Sequence, residues 1–299
     1  MSLRRTVVSR ALRGMAVLAA GLAVSAAMAQ PKPLRILVGF PPGGGTDAIA
    51  RTLSERLKDA LGVAVVVENR PGAGGQIAAQ VLKASPPDGT TVFLTHDHTI
   101  SILPLVVKNP GYQPDHDFVP VGGFATFVNA FAVSGGTPAT EFLVKVVGEK
   151  FQLDLVSAPY RGAAPMMADM LGNQISAGVG SVQDFMENHK AGKLRVVAVL
   201  GTKRQAAMPQ VPTFDELGLK GFEDLPYYGF YAPAGTSQKF ITQFSVALAK
   251  VVAEPEVRHH LTAMGLTVGF MTPQQLATRE HAYTEAWRRI IKTSGFVPQ

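Results

Sequence analysis

Ile36, Leu37 and Val38 form a short apolar run, followed closely by Pro41, Pro42 and three glycines, Gly43, Gly44 and Gly45, and then by Thr46 and Asp47. An apolar run of this kind suits a strand buried on both faces of a parallel sheet. The glycines supply a turn. Thr46 is a good N-cap for a helix whose first turn carries the negative charge of Asp47. Ile49, Leu53, Leu57 and Leu61 then recur every four residues on one face, and Gly62 stands where a helix C-cap belongs. A strand, a glycine turn and a helix start together aim backbone N–H groups at an anion. This device constrains the fold more than any other feature, because the chain repeats it.

The next strand, 63–67, completes a βαβ unit. A second turn runs from Glu68 through Pro71, Gly72, Gly74 and Gly75 into a helix over 76–84. A third strand, 91–95, ends in Thr95, His96, Asp97 and His98 before a helical run to Val107. Residues 118–134 carry no charge, yet Pro120, Gly122, Gly123 and Asn129 break them, which argues two strands and not a membrane helix. A helix over 138–150 and a strand over 153–157 lead into Pro159, Tyr160, Arg161, Gly162, Ala163 and Ala164, where another helix opens. Its Met166, Met167, Met170 and Leu171 form a core stripe. Strands over 175–180 and 194–200 flank a helix through Phe185. An aromatic strand, 227–232, precedes a long helix, 237–252, and two more helices, the last burying Leu276, Tyr283, Trp287 and Ile291. Strands alternating with helices give an α/β fold with mainly parallel sheets.

Arg4, Arg5, Arg10 and Arg13 precede an uncharged run that ends in Ala27-Met28-Ala29, the layout of a secretory signal peptide over residues 1–29. Without those four arginines the net charge falls from +6 to +2, so no basic surface for nucleic acid is expected. The chain has no cysteine, which excludes disulfides, thiolate catalysis and cysteine-held metals. These features describe an exported protein that relies on an ordinary hydrophobic core.

Gly43-x-Gly45-x-x-Ala48, with Glu68 at the end of the next strand, has the outline of a dinucleotide fingerprint. Pro41 and Pro42 lengthen the turn and remove two donors, and Asp47 would oppose a pyrophosphate. His96 and His98, on an extended segment, would point to opposite faces and would not share a metal. The segment then supplies either a loop residue that contacts a ligand or a plain N-cap at Asp97 or Thr99. No Gly-x-Ser-x-Gly elbow is present. No catalytic residue, cofactor or metal ligand is assigned.

Phe40-Pro-Pro-Gly-Gly-Gly-Thr-Asp47, Glu68-Asn-Arg-Pro-Gly-Ala-Gly-Gly75 and Pro87-Asp-Gly89 resemble the signature of one family. So do Pro159-Tyr-Arg-Gly162, Pro209-Gln-Val-Pro-Thr213 and Tyr231-Ala-Pro-Ala-Gly-Thr236. The family is the Bug-type solute receptors, the periplasmic binding proteins of tripartite tricarboxylate transporters. The resemblance implies a two-lobed, flytrap-like fold. Lobe one would hold residues 30–126 and 232–299, and lobe two residues 127–231. It also implies a monomer that captures a small organic anion, a carboxylate, for membrane transporter subunits or a sensor. The ligand residues it implies are Phe40, Gly43, Gly44, Gly45, Thr46 and Asp47 from the first turn, with Thr95, His96 and Asp97 beside them. From lobe two come Tyr160, Arg161, Gly162, Ala163, Ala164 and Gln183. Residues 134–142 bridge a distance that the family fills with a helix, a strand and a ligand-facing turn, so lobe two is expected to be shortened. Two alternatives stay open: a shortened relative acting in sensing or protein contacts, and an exported hydrolase or isomerase.

Overall fold

The computed structural model describes residues 32–132, 147, 148, 150, 152, 158, 160, 162–175, 177–220, 225–294 and 298. The expected leader at 1–29, the strand at 153–157 and the bridging stretch 134–142 lie outside the described residues, as does most of the expected helix at 138–150.

The elements in chain order are β1 (Leu34–Val38), α1 (Gly45–Leu61), β2 (Val65–Asn69), α2 (Gln76–Lys83) and β3 (Thr91–His96). A π-helix, His98–Ile102, follows and runs straight into α3 (Leu103–Val106). Then come α4 (Pro114–Asp117), β4 (Phe118–Thr126), β5 (Asn129–Phe131), α5 (Ala163–Leu171), β6 (Val179–Ser181), α6 (Val182–Lys190) and β7 (Ala198–Val199). The chain finishes with β8 (Tyr227–Pro233), α7 (Gln238–Ala253), α8 (Pro255–Ala263), β9 (Thr267–Met271) and α9 (Pro273–Ser294). The strands expected at 175–180 and 194–200 are each shorter than their apolar runs.

Six strands form one sheet in the order β2-β1-β3-β8-β4-β9. β1 pairs in parallel with β2 and β3, whereas β8 runs antiparallel to both β3 and β4, and β9 antiparallel to β4. Four of the six strands therefore point the same way. Alternate residues serve opposite faces. Ile36, Val38, Val92, Leu94, Tyr228 and Phe230 join one core with Leu53 and Leu57 of α1 and Phe244 of α7. Leu37, Phe93, Tyr227 and Tyr231 join the other, with Leu82 of α2 and Leu276, Tyr283 and Trp287 of α9. Burial on both faces is why these strands read as unbroken apolar runs. Ile291 is only partly buried against the second core.

The chain leaves this sheet after Thr126 and enters a second sheet, β6-β5-β7, whose pairs are all antiparallel. Val128, Met166, Phe185, Met186 and Val199 form its core. Met166 of the methionine stripe is buried, while Leu171 is 41% exposed. β8 is paired with the large sheet from Tyr227 onward, so the return falls at 226/227 and not at 231/232. An aromatic run does not disclose its own pairing, which is why the sequence misplaces the boundary. The outgoing and returning segments touch where they pass: Phe127 N–H donates to Pro226 O at 3.1 Å.

β8 lies between two strands and is buried throughout. A Cβ on Gly229 would stand 2.7 Å from Leu276 Cδ2 and 3.1 Å from its Cδ1, and Leu276 is fully buried. Gly229→Ala is expected to destabilise the protein by about 1–3 kcal/mol through overpacking. Urea denaturation checks this.

Candidate functional site

α1 begins without a side-chain cap. Its N-cap is Gly44, an extended residue at φ −81° and ψ 169°, and Thr46 lies inside the first turn. The expected threonine cap is thus corrected: the Thr46 hydroxyl lies 3.1 Å from the Tyr228 hydroxyl, which also accepts from Gln183 Nε2 at 2.7 Å. Tyr228 is buried in β8 and links the start of α1 to α6 of the second sheet. The C-terminal expectation holds, with Gly62 at φ 68°.

Asp47 does not line the cavity described below. Its carboxylate turns back to accept from Gly43 N–H at 3.0 Å, Arg51 Nε at 2.9 Å and Asn69 Nδ2 at 2.9 Å. Asn69 Nδ2 also donates to Phe40 O at 3.0 Å. Asp47 therefore fixes the shape of the 40–44 loop, and its charge is spent within the loop.

At the other end of the site, β3 passes into a helical turn without an extended linker, with Asp97 at φ −43° and ψ −40° and no side-chain cap bond. This corrects two expectations. His96 and His98 do not diverge; their ring centroids are 6.3 Å apart and both line one cavity. Neither Asp97 nor Thr99 acts as a side-chain cap. Among the described residues no group of three or more histidines and carboxylates could hold a metal ion. His96 stacks on Phe40 at 5.0 Å and meets Phe127 and Tyr228 edge-on at 5.8 and 5.4 Å. Its Nδ1 lies 3.3 Å from Asp97 Oδ1. Burial and the neighbouring His96 push His98 down to about 4, with Asp97 pulling weakly the other way, so its imidazole is neutral at pH 7.

The cavity holds about 120 Å³ and has a mostly apolar lining. From the large sheet it takes Phe40, Gly44, Gly45, Thr46, His96 and Asp97, and from the second sheet Tyr160, Gly162, Ala163 and Ala164. The structure thus brings ten of the expected residues together. The two turns approach closely: a Cβ on Gly162 (φ +110°) would stand 3.1 Å from Pro41 Cδ. Gly43 and Gln183 line an adjoining cavity, which shares Gly44, Gly45, Ala163, Ala164 and Asp184 with the first. Thr95 is buried in β3 outside the lining, with its Oγ1 unpaired. Arg161 lies outside the described residues.

The lining also holds residues that the sequence did not assign to the site: Phe127, Asn129, Ser181, Asp184 and Trp287. Asp184 is the most consequential. Its carboxylate lies against the start of α1, where a Cβ on Gly45 would stand 2.8 Å from Oδ1, and burial pushes it up to about 6 against the pull of His96 and of the Gly45 and Ser181 backbone N–H groups. The spacing Ser181-x-x-Asp184 is a capping-box signal that could have drawn attention to it. Its bond to Gly45 has no local signal.

The family profile described as "Tripartite tricarboxylate transporter family receptor" matches residues 49–148 and 129–296. The chain belongs to that receptor family. The two matches overlap over 129–148, the stretch that contains residues 134–142. Protein BugT of Bordetella pertussis is 30% identical to the receptor over 95% of this chain and 97% of that protein. The solved periplasmic binding protein BugD superposes with a TM-score of 0.81 at 29% identity, covering 89% of this chain and 99% of that one. An R. palustris protein solved with adipate gives 0.81 at 26%, covering 90% and 99%. The receptor has the two-lobed fold of periplasmic binding proteins and shares their periplasmic location. No helix among its described residues is long and apolar enough to cross a membrane.

Proposed function

We propose that the receptor binds a small carboxylate solute in the cavity between the two turns and hands it on without chemistry, to transporter subunits in the membrane or to a sensor. The six-stranded sheet and its helices serve as lobe one, the three-stranded sheet and its helices as lobe two, and the crossings at Phe127 and Pro226 as the hinge. Residues 1–29 are removed on export, and the mature protein works as a monomer. The observation that carries this reading is a small cavity lined by residues of two turn–helix starts from different sheets, 40–46 and 160–164. A volume of about 120 Å³ is below the ~300–1,000 Å³ of drug-sized sites, which suits a solute of a few carbon atoms. Adipate in the related R. palustris protein supports the chemical class. Aromatic walls from Phe40 and Phe127 suit the aliphatic part of such a solute, and lobe closure would exclude water.

Protein freed of endogenous solute by unfolding and refolding should be stabilised by at least one of acetate, malate, adipate and citrate. At a hundredfold excess over Kd, binding adds about 2.7 kcal/mol, or on the order of 5 °C in Tm for a chain of this size. Adipamide, which lacks the charge, should do less. Trp287 is the chain's one tryptophan and lines the cavity, so its emission should shift with the same solutes. No stabilisation by any of the four acids would refute the reading.

A further inference from the structure

Asp184 stands at the third residue of α6, and one carboxylate there serves two helix starts. Its bond from Ser181 N–H belongs to its own helix, as half of a capping box. Towards α1, which has no side-chain cap, the same carboxylate faces Gly45 N–H. The packing is close, because a Cβ on Gly45 would stand 2.8 Å from Asp184 Oδ1. Two glycine amides of the first turn are occupied from within, Gly43 by Asp47 and Gly44 by Pro41 O at 3.4 Å, and the Asp184 carboxylate stands against the third, Gly45. A carboxylate of the protein therefore holds the place that a solute carboxylate needs in order to use this helix start.

We propose that Asp184 is a built-in anion that latches the start of α1 to lobe two in the solute-free receptor, and that a solute carboxylate enters by displacing it while Asp184 takes up one proton from solvent. This proposal rests on the carboxylate-receptor reading above. The charges around Asp184 explain the proton. His96, from the end of β3, already faces Asp97 at 3.3 Å, and His98 beside it is neutral. Asp47 of α1 is held by Arg51 and Asn69. Tyr228 of β8 keeps its proton because burial opposes its ionisation. Tyr160, ahead of α5, donates to Asp169. The second cavity beside Asp184 adds Glu187 of α6 and His260 of α8. Asp184 shares the cavity lining with the two turns, so its ionised form repels an anionic solute held there and its protonated form does not. Since Asp184 titrates near 6, affinity should fall towards tenfold per pH unit above that value and level off below it.

Two measurements test this. The first needs no solute. In ¹⁵N-labelled protein at pH 7.5, Gly45 N–H should exchange at least tenfold faster in Asp184→Ala than in wild type, while Leu57 in the middle of α1 is unchanged. Equal exchange at Gly45 would overturn the latch. Asp184→Leu, which keeps bulk and has no acceptor, serves if the alanine variant does not fold. The second is calorimetric titration with malate and adipate from pH 5.5 to 8. Wild type should weaken about tenfold per unit above 6, whereas Asp184→Asn should be independent of pH and at least tenfold tighter at pH 8. Matching pH profiles would overturn displacement, as would an asparagine variant weaker at every pH, since Asp184 would then be contacting a donor on the solute. Absence of binding to either protein removes displacement along with the carboxylate reading, and exchange at Gly45 then decides the latch alone.

Discussion

Asp47→Ala is expected to lower stability by on the order of 2–3 kcal/mol and to weaken solute binding at least tenfold. The first effect follows from the donors left behind: Gly43 N–H and Asn69 Nδ2 both lose a buried carboxylate acceptor, and hydrogen bonds to charged groups are worth about 1.5–3 kcal/mol. Arg51 returns to solvent and adds nothing to this figure. The second effect follows from geometry. Asn69 ties Asp47 to Phe40 O, so loss of the carboxylate frees the loop that carries Phe40 and the glycine turn. Burial by itself would raise the Asp47 carboxyl, but the bonds from Arg51, Gly43 and Asn69, with the Arg51 charge, outweigh it and hold the carboxyl below 3.8. Its contribution is therefore complete above 3.8 and is lost as pH falls through the lower folded-state value. Asp47→Asn keeps an acceptor and should lose less. Denaturant titration of the three proteins at pH 7 and pH 3 checks both size and sign.

His98→Gln is expected to remove an acid sensitivity worth about 3 kcal/mol. A histidine held at about 4 in the folded protein is protonated in the unfolded chain from about 6.5 downward. Between those two values the unfolded state binds the extra proton, so stability falls as pH drops from 6.5 towards 4 and stays level below that. Asp184 acts in the opposite sense: its folded-state value near 6 makes the native state gain stability as pH falls through the same range. The prediction is therefore stated as the difference between the denaturation curves of His98→Gln and wild type, in which Asp184 cancels. That difference should open between pH 6.5 and 4 and remain constant above 7. A difference that is flat with pH would show that the buried imidazole is not the acid-sensitive group.

Both predictions concern residues whose roles the sequence showed only in part. β1, the glycine turn and α1 were legible because they are fixed locally: an apolar run buried on two faces, a fourfold leucine repeat and Gly62 as stop. Thr46 looked like a cap because threonine before an amphipathic run usually is one. The structure starts the helix at Gly45, and the Thr46 hydroxyl is drawn to Tyr228, far along the chain. An extended segment would make His96 and His98 diverge, whereas the helical turn begins directly at the strand end. Gln183, expected on the solute, donates its Nε2 to Tyr228 and leaves its buried Oε1 without a partner among the described residues. Asp184 was missed for the same reason in reverse: its capping bond to Ser181 is local, and its bond to Gly45 exists only once the two sheets face each other.

The most direct test of a receptor that exchanges its own carboxylate for that of a solute is to count protons on binding. Calorimetric titration of the solute-free receptor with adipate or malate at pH 7.5, in two buffers of different ionisation enthalpy, gives that count. The account predicts uptake of about one proton per solute bound, and none in Asp184→Asn. Binding without proton uptake in the wild-type protein would contradict it.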